Sequence, residues 1–234
     1  MRYAIYYTPP KDSALVRTAS AWLGRDAFSG HAVPHPRDEQ LTDAEINHYT
    51  APARRYGFHA TLKAPFRLEE GVSEVQLVDA LDRFAASMRP FPVDLRISRM
   101  GSFFALTSRQ GNASLHRLAD DVVTVFESFR APLSAAEIAR RNPNRLTPEE
   151  LKNLRKWGYP HVFETFRFHM TLTGPVEPAE SAPVEAALKR LFEPLLTEPL
   201  MVASLALFVE EEPGAPFVIR SWHPFDSQGA RQSA

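Results

Sequence analysis

The sequence predicts an α+β fold with largely antiparallel sheets, and three observations carry that expectation. Segments with the period-2 alternation of strands are interleaved with segments of helical period. The 20 prolines outnumber the 10 glycines and fall mostly between those segments, at Pro9-Pro10, Pro34, Pro36, Pro65, Pro90, Pro92, Pro175, Pro213 and Pro216, as punctuation. The chain also repeats itself. A shift of 110 residues lays FHATLKAP (58–65) on FHMTLTGP (168–175), with five of eight positions identical.

The elements follow in order. A strand is expected at Arg2–Tyr7 and a helix near Ser13–Leu23, followed by a polar stretch with little periodicity to about Tyr56. A strand at Gly57–Lys63 precedes a helix at about Ser73–Met88 and strands near Val93–Ser98 and Ser102–Thr107. A long helix covers about Ala113–Phe129, and residues 131–164 read as an insertion with short helices. A strand at Phe166–Thr173, a helix near Pro183–Leu196 and strands near Met201–Val209 and Pro216–Trp222 complete the chain. The Glu210-Glu211-Glu212 run before Pro213-Gly214 reads as a hairpin turn.

The repeat extends beyond its motif. At the same shift Leu81 falls on Leu191 and Leu95 on Leu205; at a shift of 100, Leu15, Arg17 and Ala19 fall on Leu115, Arg117 and Ala119. The simplest account is a duplicated β-α-β-α-β unit with one extra C-terminal strand. The expected architecture is a single bilobal, pseudo-twofold domain around a central cleft. Its lobes are about 1–108 and 109–234, with strands free to exchange between them.

Composition limits the function. Hydrophobic residues make up 44% and charged residues 24%, as in an ordinary soluble domain, and the formal net charge is -1. A long nucleic-acid track needs many uncompensated cations, so no long nucleic acid is expected as a partner. With no cysteine, disulfides, thiolate metal sites and thiol nucleophiles are excluded. No apolar run approaches a membrane span and the N-terminus lacks the pattern of a secretory signal, so a cytoplasmic location without membrane partners is expected.

The chemistry lies in the paired F-H-x-T-L motifs. Strand parity puts His59, Thr61 and Lys63 on one face and Phe58, Ala60 and Leu62 on the other. In the second copy it separates Arg167, His169, Thr171 and Thr173 from Phe166, Phe168, Met170 and Leu172. Packing explains duplicated Phe, Leu and Pro, but gives no reason to duplicate polar His and Thr. Two imidazoles titrating near neutrality can serve as base and acid. Thr61 and Thr171 can bind phosphate oxygens, while Lys63 and Arg167 can neutralise charge. No nucleophile with an orienting carboxylate is evident, so a phosphodiester suits this set better than a carboxylic ester or amide. No metal or other cofactor is expected.

Paired H-x-T motifs half a chain apart resemble the two-histidine phosphoesterase superfamily, which includes LigT-like 2′,3′-cyclic phosphodiesterases. RYAIYYTP, WLGRD, RRYGFHATLKAPF, RLTPEELKNLRKWGYP and FRFHMTLTGP are similar to a branch associated with phosphonate metabolism. The resemblance implies a bilobal fold, His59 and His169 as an acid/base pair, Thr61 and Thr171 as phosphate ligands, and a small phosphorylated or cyclic-phosphate substrate.

Other candidates are weaker. Arg54, Arg55 and Tyr56 precede the first motif, and Arg55 and Tyr56 are candidates for substrate contact. His31 and His35 are four apart, but Pro34 and Pro36 oppose a helical metal pair. His48, His116, His161 and His223 read as surface or local structural residues, and Tyr3, Tyr6 and Tyr7 as core. Arg140, Arg141, Arg145, Lys152, Arg155 and Lys156 make the insertion basic, but Glu137, Glu149 and Glu150 offset part of that charge; the insertion is expected to shape substrate choice. The leading functional expectation is a metal-independent hydrolase of a small cyclic phosphodiester. Its alternatives are a nucleotide or RNA-end binding module and an enzyme processing RNA 2′,3′-cyclic phosphates. Oligomeric state is not legible.

Overall fold

The structure is a computed structural model and describes residues 1–226. The first repeat supplies β1 (Arg2–Tyr7), α1 (Ala14–Leu23), α2 (Asp43–Arg54), β2 (Ala60–Phe66), α3 (Glu74–Ser87), β3 (Phe91–Val93) and β4 (Leu95–Met100). The second supplies β5 (Phe103–Ser108), α4 (Ala113–Val125), β6 (His169–Thr171), α7 (Ser181–Phe192), β7 (Leu200–Val202) and β8 (Ser204–Glu210), with β9 (Val218–Pro224) added at the end. The insertion carries α5 (Ala135–Ala139) and α6 (Pro148–Trp157). No helix among the described residues is long and apolar enough to cross a membrane.

Among the described residues seven strands form one antiparallel sheet in the order β4-β5-β6-β2-β1-β8-β9. The motif strands β2 and β6 meet at its centre through the pair Ala60↔Met170. Outward from that junction each half runs second strand, first strand, third strand. The third strand belongs to the other repeat: β4 closes the half containing β5 and β6, and β8 the half containing β1 and β2. The short strands β3 and β7 pair with each other in a separate ribbon. The sheet therefore carries the expected pseudo-twofold order, with exchanged strands.

Helices cover one face. Leu15, Trp22, Ile46, Leu77, Leu118 and Leu188 pack there with Ile5, Leu62, Leu106, Met170 and Leu207 from the strands. A smaller cluster on the opposite face joins Ala4, Tyr6, Ala206 and Phe208 to Ala27 and Phe217. β1 is thus buried on both sides, which accounts for its near-continuous apolar sequence. Helix ends follow local chemistry. Ser73 and Gln76 form a capping box on α3, and Thr147 and Glu150 one on α6, which stops at the left-handed Gly158.

Three expectations are corrected. The polar stretch before Tyr56 contains α2, which has a Thr42/Glu45 capping box and buried Ile46, Tyr49, Thr50 and Ala53 on one face. Pro52 sits in its last turn. The strand at Gly57–Lys63 instead runs Ala60–Phe66. The strand at Phe166–Thr173 shrinks to His169–Thr171, because the amides of Leu172 and Thr173 both turn to the Phe104 carbonyl and that of Gly174 to Tyr49.

That turn depends on a close approach. A Cβ on Gly174 would lie 2.6 Å from Pro52 Cγ and 2.9 Å from its Cδ. Gly174→Ala is therefore expected to cost about 1–3 kcal/mol by overpacking. Urea unfolding of the two proteins measures this directly, and equal stability would show that α2 gives way without cost.

Candidate active site

The site grows from the register of two strands. With Ala60 opposite Met170, antiparallel pairing sets His59 opposite Thr171 and Thr61 opposite His169. The four side chains mark a rectangle on the face away from the helices, histidines on one diagonal and threonines on the other. Diagonal neighbours in such a ladder lie about 7–8 Å apart, a gap suited to one phosphate group between the two rings.

Both imidazoles are held in the same way. His59 Nδ1 donates to the Gly57 carbonyl at 2.9 Å, and His169 Nδ1 to the Arg167 carbonyl at 2.8 Å. A carbonyl only accepts, so each neutral ring carries its proton on Nδ1 and presents a lone pair at Nε2. Thr61 Oγ1 lies 3.3 Å from His59 Nε2. The duplication thus reaches the hydrogen bond that fixes the tautomer.

The surroundings differ between the repeats. His59 stacks on Tyr6 with ring centres 3.8 Å apart and planes within 20°, and Phe208 lies 5.8 Å away. Tyr6 pairs with Thr61 across β1 and β2; the residue pairing with Thr171 across β5 and β6 is Ala105, so His169 has no such ring beneath it. Its nearest aromatic contact is Phe103 at 6.0 Å, tilted. Burial pushes the His59 pKa down to about 4, the Gly57 hydrogen bond opposing and the charge of His169 adding to the fall. Burial also lowers His169, against its bond to Arg167, and the charge of His161 lowers it further.

A cavity of about 530 Å³ opens at this face, and Thr61 and His169 line it. Arg167 reaches it from the exposed position before the second motif, as parity predicted. The insertion supplies another wall with Thr147, Glu150, Tyr159 and His161. His161, read as a surface residue, therefore faces the cavity, with Nδ1 3.3 Å from Glu150 Oε1. Among the described residues no group of three or more His, Asp or Glu is arranged to hold a metal ion.

Lys63 is a correction. Ile5 pairs with Lys63 and Tyr6 with Thr61, so Leu62 is an extra residue in a bulge. The bulge breaks the alternation and turns Lys63 toward the helices, where its buried Nζ bonds Glu127 Oε2 at 2.8 Å and the Val123 carbonyl at 3.2 Å. Arg55 is ion-paired with Glu210. Tyr56 stacks on Phe217 at 5.2 Å, with its ring 6.2 Å from that of His59. His223 is buried between Asp82, at 2.6 Å, and Ser221, at 2.8 Å, and ties β9 to α3. Sequence reasoning missed Tyr159 and read His161 as a surface residue without tying it to a cavity. Tyr6, expected in the core, is buried there beside Phe208 and Phe217 and also stacks on His59.

The chain is 38% identical over 237 residues to a protein of Janthinobacterium sp. (strain Marseille) named ribose 1,5-bisphosphate phosphokinase PhnN, covering 99% of this chain and 52% of that protein. It is 36% identical over 217 residues to a protein of the same name from Laribacter hongkongensis (strain HLHK9), covering 93% and 50%. The chain therefore spans about half the length of these relatives. Two solved structures, one described as a phosphoesterase and one as E. coli LigT complexed with 3′-AMP, each match 97% of this chain at 12% identity. The matches cover 99% and 98% of those chains, with TM-scores of 0.39 and 0.40, a likeness too slight to carry a role across. Residues 61–218, from the first motif's threonine onward, match the family described as "Protein of unknown function (DUF1045)", and the chain belongs to that family.

Proposed function

We propose that this protein is a phosphoesterase that opens a small cyclic phosphodiester by acid/base catalysis between His59 and His169. The observation that carries the reading is the His/Thr rectangle with both Nδ1 atoms bonded to carbonyls, which leaves neither Nε2 committed to the backbone; the Nε2 of His59 has only the rotatable Thr61 hydroxyl at 3.3 Å among the described residues. A phosphate between the rings accepts hydrogen bonds from the Thr61 and Thr171 hydroxyls on its non-bridging oxygens. One neutral imidazole takes a proton from water as the water oxygen bonds to phosphorus. The other, protonated, gives its proton to the ring oxygen as the P–O bond breaks. Charge builds on the non-bridging oxygens, where Arg167 at the cavity wall opposes it.

The asymmetry of the rings supports one division of the roles. His59, with its pKa held at about 4, is neutral at ordinary pH and serves as the base; His169 lacks the stacked ring and serves as the acid. A small phosphorylated sugar or nucleotide is the favoured substrate class. The names of the two relatives support this, since ribose 1,5-bisphosphate is such a sugar, as does the resemblance to a branch associated with phosphonate metabolism.

The pH dependence tests the scheme. Activity requires neutral His59, so kcat/KM should rise as pH increases through about 4. It also requires charged His169, so kcat/KM should fall as pH increases through a value that burial holds below 6.5. The expected free-enzyme profile is a bell on the acid side of neutrality, unchanged by EDTA, on 2′,3′-cyclic nucleotides or ribose cyclic phosphates. A profile flat from pH 4 to 8 would remove the two-histidine mechanism.

A further inference from the structure

A cavity rich in arginine lies beside Tyr56, whose ring neighbours that of His59. It measures about 760 Å³, and its walls include Arg2, Arg55, Arg67, Arg140 and Arg141. Among the described residues only two carboxylates face the same space, Glu137 and Glu210, so guanidinium charge there exceeds carboxylate charge by three, in a chain whose formal net charge is -1. Gathering like charges in one concavity opposes folding and favours an anion that enters it.

The arrangement is supported from below. Glu210, at the end of β8, is buried and bonded by both Arg2 and Arg55 as well as by the Gly214 amide. Burial pushes the Glu210 carboxyl up, but the bonds from Arg2, Gly214 and Arg55 outweigh it and keep the group ionised. It therefore fixes two guanidinium groups at the cavity floor, each with further N–H groups to offer. Arg67 is tied to Glu137 at 3.3 Å. Arg140 and Arg141, from the insertion, have no carboxylate partner among the described residues; Arg140 reaches only the Ala136 carbonyl, and Arg141 lies 5.2 Å over the Tyr159 ring.

Aromatic residues join this cavity to the reacting groups. Tyr56 lines it and has its ring 6.2 Å from that of His59. Tyr159, under Arg141, lines the cavity of His169 and Thr61. Arg2 and Arg141 both act electrostatically on Tyr6, which stacks on His59. One substrate can therefore engage both places at once.

We propose that the arginine cavity binds a second phosphate of the substrate, so that the preferred substrate is a cyclic phosphodiester that also carries a phosphate monoester across one sugar ring. The proposal rests on the phosphoesterase reading above. Its chemistry is the match between guanidinium forks and a dianionic, tetrahedral phosphate. A long RNA would need cations spread along a track; here they converge on one concavity, partly walled by the insertion. Arg140 and Arg141 become the specificity determinants, which gives the insertion its role.

The test compares 2′,3′-cyclic AMP with the same nucleotide bearing a 5′-phosphate, on the wild type and on the Arg140→Ala/Arg141→Ala protein. In the wild type the 5′-phosphate should raise kcat/KM on the order of 10²-fold, mainly through KM, as two charge-assisted contacts allow. In the double variant the preference should fall to roughly tenfold or less. Binding is read separately by calorimetric titration of inorganic phosphate into His59→Ala/His169→Ala, with and without the two arginine substitutions, which should weaken it at least about tenfold. Equal turnover of both nucleotides with arginine-independent phosphate binding overturns the subsite and leaves the phosphoesterase reading intact. Turnover of neither nucleotide, with phosphate binding still arginine-dependent, overturns the reaction and leaves the subsite.

Discussion

Replacing His59 or His169 with alanine is expected to lower kcat on a cyclic phosphodiester by about 10²–10⁴-fold, with a smaller effect on KM. Each substitution removes a proton-transfer group while leaving the threonine hydroxyls and the cationic walls that hold the phosphate, so ground-state binding changes less than the chemical step. Because base and acid act in one transition state, the double variant should lose far less than the product of the two single losses. His59 needs a further control, since its ring lies 3.8 Å from that of Tyr6 and alanine leaves a gap there. His59→Gln keeps much of the volume without the basicity, so a true catalytic role predicts a similar loss in both variants. Thermal melts that match wild type establish that folding is not the cause. Wild-type kcat in either alanine variant would end the assignment.

The second large effect is on stability. Glu127→Ala is expected to destabilise the fold by about 3 kcal/mol, because it leaves a buried ammonium without its counter-charge. Lys63 is only 3% exposed, and among the described residues its Nζ has, besides Glu127, only the Val123 carbonyl and, at 5.7 Å, the Phe66 ring. Glu127 is 24% exposed, which places the effect at the lower end for a broken buried pair. It also binds Arg130 at the start of the insertion, so its loss loosens that segment too.

The pH dependence has a definite sign. Burial lowers the Lys63 pKa even with Glu127 raising it, so the unfolded chain holds this proton more tightly than the folded one. Stability should therefore rise with pH between the folded value and 10.5, and without Glu127 that window widens downward. Replacing both partners, as in Lys63→Met/Glu127→Leu, should restore stability to near the wild-type level or above. Urea titrations of the three proteins decide the matter. A loss below about 0.5 kcal/mol in Glu127→Ala would mean that water solvates the lysine.

Much of this was legible in the sequence, for physical reasons. β1 has the expected bounds because residues 2–7 are apolar or aromatic almost throughout and Pro9-Pro10 follow. Helices α3 and α4 were recognisable from an apolar stripe with a capping residue before it. His59, Thr61, His169 and Thr171 stand out as candidates because a polar pair recurs where packing has no use for one, and the strand register brings the four together. Other features depend on distant partners. α2 has a narrow buried face and a proline in its last turn, so its periodicity is weak without the sheet it covers. The bulge at Leu62 comes from the pairing of β1 with β2, and no parity argument within β2 reveals that Lys63 turns away. Tyr159 and His161 belong to the site only because the insertion folds back over it.

The exchange of β4 and β8 has a consequence for ancestry. A single repeat has no home for its third strand within itself, and only half of the His/Thr rectangle. The smallest self-sufficient unit of this plan is two copies with interchanged strands, holding one symmetric centre on the axis between them. Joined in one chain, the two copies need not stay alike: one has an aromatic ring stacked on its imidazole, and the other carries the arginine-bearing insertion. Two identical copies would hold equivalent histidines and have no means of orienting an unsymmetrical ligand; in this chain the surroundings of the two histidines differ.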